Sequence, residues 1–187
     1  MHTFIHRRQA IVGAAAALSL LPLREAVAQT AARGGDWLAM IKAHHALVST
    51  TLDAMLASGN TLFERRRRMQ RTLAYQMTAH SVAEENVIYP ALAMAGLISE
   101  SDKLYLDQAH TKVMNAQLEL TNLKDESAWL EKVRALQAAV LKHAKEDEEG
   151  TIYPRLHQQM DAQRNAVLTA SYAREFGSVK PVMASAA

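Results

Sequence analysis

The chain has 187 residues, enough for one domain with a sizeable core, and its scarcity of glycine (7) and proline (4) amid abundant Ala, Leu, Met, Gln and Glu points to an all-α fold. It contains no cysteine, which excludes disulfides, iron–sulfur ligation and thiol catalysis and leaves histidine and carboxylates as metal donors. A net charge of +2 argues against nucleic acid or an anionic membrane as the main partner.

Residues 1–28 read as an export signal. Arg7 and Arg8 precede the apolar run 10–23, and Ala26-Val27-Ala28 is a small-residue cleavage site. The run is short for a membrane span, so the mature chain is expected to carry none. HRRQAIV is similar to a twin-arginine signal, with a general secretory signal as the alternative. The mature chain then starts near Gln29 and leaves the cytoplasm, in a bacterium for the periplasm. Residues 29–35 form a flexible lead-in, residues 36–160 the helical domain, and residues 161–187 a short helix and tail.

The first helix is expected from Asp36, a good N-cap, to Ser58, with the seam Leu38, Ile41, His45, Val48, Leu52, Met55 at steps of three and four. His45 lies in that seam and His44 about 100° away, so His45 is the inward candidate. The second helix runs from Thr61 to Pro90 or slightly past, with the seam Met69, Leu73, Met77, His80, Glu84, Val87, Ala91. The four arginines 65–68 wrap around it and read as a solvated surface. After a turn at 96–101, the third helix covers Asp102 to Lys124 with the seam Leu106, His110, Val113, Gln117, Leu120. The fourth carries Trp129, Val133, Leu136, Val140 and His143 on one face. Residues 161–176 form a short packing helix around Val167, Leu168 and Tyr172.

The second and fourth helices carry one motif twice. Residues 79–92 read AHSVAEENVIYPAL and residues 143–156 read HAKEDEEGTIYPRL, with Glu84 to Glu148 and Tyr89 to Tyr153 each 64 residues apart. His80 to His143 is 63, a slip of one. An undistorted helix would bring Asp147 next onto the seam after His143, but continuing from it gives a poor apolar face. A step of five to Glu148 restores the pattern with Ile152 and Leu156, as a π-bulge would allow. Glu148 is therefore preferred, with Asp147 as the alternative.

A histidine and an acid four apart on a helix share one face. Burying four histidines and two glutamates on core seams without a metal would cost several kcal/mol. The expected ligands are His45, His80, Glu84, His110, His143 and Glu148, converging on a dinuclear centre. Iron suits the donors, and zinc and manganese remain open. Glu85 and Glu149 fall off the seam, either solvated or supporting the ligands from behind; His44 and His157 stay outside the ligand set; and Tyr89 and Tyr153 are expected to pack the end of the bundle, with a hydrogen bond from either phenol into the site as the alternative.

These residues resemble the hemerythrin-like, HHE cation-binding family over roughly residues 37–157, through IKAHHALV, HSVAEENVIYPAL, DQAHTKVM and HAKEDEEGTIYPRL. The resemblance implies an antiparallel up-down-up-down four-helix bundle with a non-haem di-iron site, bridged by Glu84 and Glu148. Two positions depart from the family. Met114 stands where oxygen carriers have a further histidine, and His44 precedes His45 where an Asp is frequent. The expected function is binding or sensing of O2, NO or peroxide. An oxidoreductase acting on peroxide or NO with a separate redox partner is one alternative, and iron storage or delivery is another.

Overall fold

A computed structural model describes residues 35–58 and 63–180. The described residues form five helical rods and no strand. Helix α1 is Trp37–Leu56; α2 is Phe63–Ala83, continued by a π-wound turn Glu84–Ile88 into α3, Tyr89–Met94. Helix α4 is Ile98–Glu119; α5 is Glu126–Leu141, continued by a π-wound segment Lys142–Ile152 into α6, Tyr153–Gln158; α7 is Ala162–Ser178. The export signal expected over residues 1–28 and most of the lead-in lie outside the described residues. Among those described, no helix is long and apolar enough to cross a membrane.

The starts of these helices follow from their capping residues. The side chains of Asp36, Asp125 and Asp161 accept the backbone N–H groups of Ala39, Ala128 and Arg164, satisfying donors that an N-terminus leaves free. Gly96 turns the chain between α3 and α4 at φ 82°, a conformation costly for a residue with a Cβ.

The core has two apolar halves. One gathers Trp37, Ile41, Ile88, Leu92, Leu104, Ile152, Leu156, Tyr172 and Phe176, and the other Val48, Leu52, Met55, Leu73, Leu118, Trp129, Val133 and Leu136. On α1, His45 falls between Ile41 of the first half and Val48 of the second. On α2, His80 falls between Met77 of the second half and Ala83 of the first. The polar residues therefore form a layer between two hydrophobic plugs that exclude water from both ends.

Three sequence expectations change here. The third-helix seam is turned to the opposite face: Leu106, Val113 and Leu120 are 72 %, 55 % and 88 % exposed, while Ser101, Leu104, Gln108, Thr111 and Leu118 point inward. Arg66 does not share the solvated surface of Arg65, Arg67 and Arg68. It is buried, donates to the carbonyl of Leu123, pairs with Glu126 and lies over the Trp129 ring. The C-terminal helix buries Tyr172 and Phe176, leaving Val167 exposed.

Candidate metal centre

The two π-wound segments set the site. A π turn bonds each N–H to the carbonyl five residues back, and the Tyr89 and Tyr153 amides bond in this way to Glu84 and Glu148. Each is followed by a proline, which has no N–H to donate and whose ring crowds the preceding turn of an α-helix. A wider turn relieves that crowding. In the first copy the hydroxyl of Tyr105 donates to the Glu85 carbonyl at 2.7 Å, supplying the donor that Pro90 lacks. In the second copy Gly150 allows the close winding: a Cβ there would lie 2.9 Å from the Lys145 carbonyl oxygen.

The consequence is a compact donor cluster. Single ligand atoms of His45, His80, Glu84 and Glu148 all lie within 4.8 Å of one another, and all four residues are buried. His45 Nε2 is 3.1 Å from Glu148 Oε2, His80 Nε2 is 3.0 Å from Glu84 Oε2, and the two Nε2 atoms are 3.0 Å apart. His143 Nε2 stands beside the cluster, 3.3 Å from Glu148 Oε1. Of the six expected ligands, the structure thus gathers five. His110 is the exception and is corrected: it lies on the exposed face of α4. The inward face of α4 supplies the Gln108 amide instead, 3.3 Å from Glu84 Oε2. Asp147, the alternative to Glu148, lies outside the cluster and pairs with Lys103 at 2.6 Å and Lys142 at 3.1 Å.

Both phenols enter the site, so the alternative to the expected packing role is the one the structure shows. The Tyr153 hydroxyl is 2.6 Å from both Glu84 Oε1 and Glu148 Oε1, so it links the two carboxylates. The Tyr89 hydroxyl is 3.0 Å from Glu148 Oε1 and 3.4 Å from His143 Nε2. Burial, then the charges of Glu148 and Glu84, pushes both phenols well above the usual tyrosine value. They therefore stay protonated donors in the metal-free protein.

The outer ring nitrogens have their own partners. His45 Nδ1 bonds Glu149 Oε1 at 2.7 Å, so Glu149 holds the imidazole rather than facing only solvent. His80 Nδ1 and His44 Nδ1 approach the Tyr172 hydroxyl at 3.2 and 2.8 Å. Burial, then the nearby His80 and His45, pushes His44 well below the ordinary histidine value and keeps it neutral. His45 runs the other way. Burial lowers it, but the adjacent Glu148 and Glu149 carboxylates outweigh that and raise it to about 9. Burial alone would raise Glu148, yet His143 and then His45 prevail and bring it down to about 2. Glu85, expected off the seam, pairs with Lys112, and His157 pairs with Asp36 far from the cluster.

The donor set fits a metal ion. Glu148 is fully buried, and its Oε2 receives no hydrogen bond although His45 Nε2 lies close by. A buried anionic oxygen without a donor is costly, and a cation at the convergence of two imidazoles and two carboxylates would remove that cost. Imidazole with carboxylate, in the absence of thiolate, suits iron, zinc or manganese. A cavity of about 20 Å3 adjoins the cluster, lined by His45, His80, His143, Gln108 and Thr111 among polar residues and by Val48, Met77 and Val140. It has room for about one water-sized molecule.

No curated protein and no solved structure is significantly similar to the chain. Residues 36–156 match the family described as the Hemerythrin HHE cation binding domain, a segment that contains every donor of the cluster. The chain belongs to the hemerythrin HHE cation-binding family.

Proposed function

We propose that this is an exported protein that holds two iron ions in the core of an antiparallel four-helix bundle and uses them to bind or sense O2, NO or peroxide. The observation that carries the reading is the convergence of His45, His80, Glu84 and Glu148 on one buried point beside a cavity of about 20 Å3. His45, His80, His143, Glu84 and Glu148 would hold the ions. Iron supplies a reversible one-electron change and an exchangeable coordination position, which such ligands require.

The protein's own groups do the rest. Glu149 and Tyr172 orient His45 and His80 from behind. Tyr153 and Tyr89 place O–H donors on the carboxylates. Gln108 and Thr111 line the cavity on the side where a third-helix histidine was expected, leaving space instead of a ligand. The apolar plugs above and below exclude bulk water, which strengthens every polar contact within. Export is supported by Arg7, Arg8, the run 10–23 and the Ala-Val-Ala site, with a bacterial periplasm as the proposed destination.

The test is to prepare the chain from Gln29, measure iron per chain, and record the visible spectrum anaerobically and after adding oxygen. Two irons and a new visible band on oxygenation support the proposal; a chain that takes up no metal refutes it. A second reading, an oxidoreductase acting on peroxide or NO, is favoured by the protonated hydroxyls of Tyr89 and Tyr153, which stand ready to donate protons. Sustained peroxide or NO consumption in the presence of an electron donor would select it over simple binding.

A further inference from the structure

Helix α7 lies beyond the segment that matches the family, yet it reaches the centre. The Trp37 N–H donates to Thr169 Oγ1 at 3.0 Å, fastening α7 to the start of α1. Asn86 on the first π turn donates to Glu175 at 3.2 Å, fastening it beside Glu84. Between these ties Tyr172 is fully buried, with its hydroxyl 3.2 Å from His80 Nδ1 and 2.8 Å from His44 Nδ1, and Phe176 stacks on the His44 ring at 3.9 Å.

A phenol has one proton to give, so the direction of this chain is constrained. His80 turns Nε2 toward the cluster, 3.0 Å from both His45 Nε2 and Glu84 Oε2. To offer a lone pair there, a neutral His80 must carry its proton on Nδ1, and Tyr172 must accept it. The Tyr172 proton then has one destination within reach, His44 Nδ1. His44 consequently keeps its own proton on Nε2, an atom with no partner in the structure. His45 is held differently, by the Glu149 carboxylate at 2.7 Å.

We infer that Tyr172 is a positioning residue for the metal centre: with His44 as its acceptor, it selects the tautomer of His80 that binds metal through Nε2, and so makes α7 part of the metal-binding unit. The inference rests on the metal-binding reading above. It explains why His44, adjacent to the ligand His45 and itself buried, does not join the cluster. Its Nδ1 is committed to the phenol, and its Nε2 carries the ring's remaining proton.

The experiment uses the full chain, stripped of metal, with Zn2+ as the probe in chelator competition. The proton positions on the His80 ring are followed by nitrogen-resolved NMR. Tyr172→Phe keeps the ring and removes the hydroxyl; Zn2+ affinity should fall about 10–100-fold, with His80 shifting toward a mixture of tautomers. His44→Leu leaves the hydroxyl but removes its acceptor, so Tyr172 turns to donate to His80 and the tautomer shifts away from Nδ1–H, with a similar loss of affinity. Phe176→Leu loosens the packing of α7 but leaves the hydroxyl chain, and should lower the melting temperature without changing the His80 tautomer or Zn2+ affinity. Wild-type affinity and tautomer in both Tyr172→Phe and His44→Leu would overturn the inference while leaving the metal site intact. Equal weakening by Phe176→Leu would also overturn it, reducing α7 to a scaffold. A wild-type chain that binds no Zn2+ and no iron would instead remove the metal-binding reading itself.

Discussion

Tyr153→Phe separates two accounts of the repeated Tyr-Pro. The substitution keeps the ring against Trp37, whose centroid is 5.6 Å away, and deletes only the oxygen. If the tyrosine merely packed the bundle, almost nothing would change. In the structure that oxygen sits 2.6 Å from carboxylate atoms of both Glu84 and Glu148, which are fully buried. A hydrogen bond to a charged group contributes about 1.5–3 kcal/mol. For a chain of this size that corresponds to a fall of roughly 3–12 °C in melting temperature. The fall should appear in full when the protein is melted in chelator, where the single phenol proton lies between the two acids and is a principal donor to the pair. Saturation with Zn2+ should shrink it to less than half, because the cation then neutralises the same carboxylates. An unchanged melting temperature in chelator, or an equal fall with and without Zn2+, would refute the reasoning.

The ligand set predicts that Glu84→Ala and Glu148→Ala each lose at least one metal per chain, whereas Glu85→Ala and the exposed His110→Ala keep the wild-type content. Elemental analysis decides, and a metal lost from His110→Ala would return that residue to the site. Gly150→Ala pushes a Cβ to 2.9 Å from the Lys145 carbonyl oxygen, so it should destabilise the chain by about 1–3 kcal/mol and weaken metal uptake by unwinding the turn that aims Glu148. Normal uptake would show that the π-wound backbone is dispensable. In the metal-free protein His45 is raised to about 9 from 6.5. Its contribution is present in full below about pH 6.5 and is lost as pH climbs through 9. Melting temperature in chelator should therefore decline over that window. The Zn2+-loaded form should not follow this decline, because Nε2 then carries the metal rather than a proton.

The sequence was most legible where apolar spacing and chemistry pointed the same way. On α1 the seam through Ile41, His45, Val48, Leu52 and Met55 is the buried one. The five-residue step from His143 to Glu148 lies within a π-wound segment. The tyrosines read first as packing groups because an α-helix advances 100° per residue, which puts a residue five places on about 140° away from its start. In a π turn the fifth residue returns beneath the first, so Tyr89 and Tyr153 face the acids. The Tyr-Pro at one fixed distance from Glu in both copies was the available signal. On α4 periodicity had no means of choosing. Leu106, His110, Val113 and Leu120 satisfy a helical stripe as well as Leu104, Gln108, Thr111 and Leu118 do, and the two stripes are roughly half a turn apart. Packing of Leu118 against the Trp129 half of the core, and the bond from Gln108 to Glu84, select the second stripe. His44 was placed outside the ligand set by its angle from the seam, but its burial against Tyr172 and Phe176 was not legible, because α7 comes from the far end of the chain.

The duplicated sequence does not make a duplicated site. Glu84 with Tyr89 is echoed by Glu148 with Tyr153, and His80 by His143, so the acid and phenol halves of the centre are near copies. The echo fails between the two remaining helices: His45 of α1 enters the cluster, while His110 of α4 turns to solvent and Gln108 faces inward. His45 and His80 therefore approach the paired carboxylates through Glu148 Oε2 and Glu84 Oε2, and His143 alone through Glu148 Oε1. An amide oxygen or nitrogen is a poorer donor than imidazole for a first-row metal. Gln108 lines the cavity of about 20 Å3 beside the cluster. A lost ligand and a space for a small molecule are the same structural fact. The rotation of α4 that turns His110 to solvent is what leaves that cavity beside the cluster.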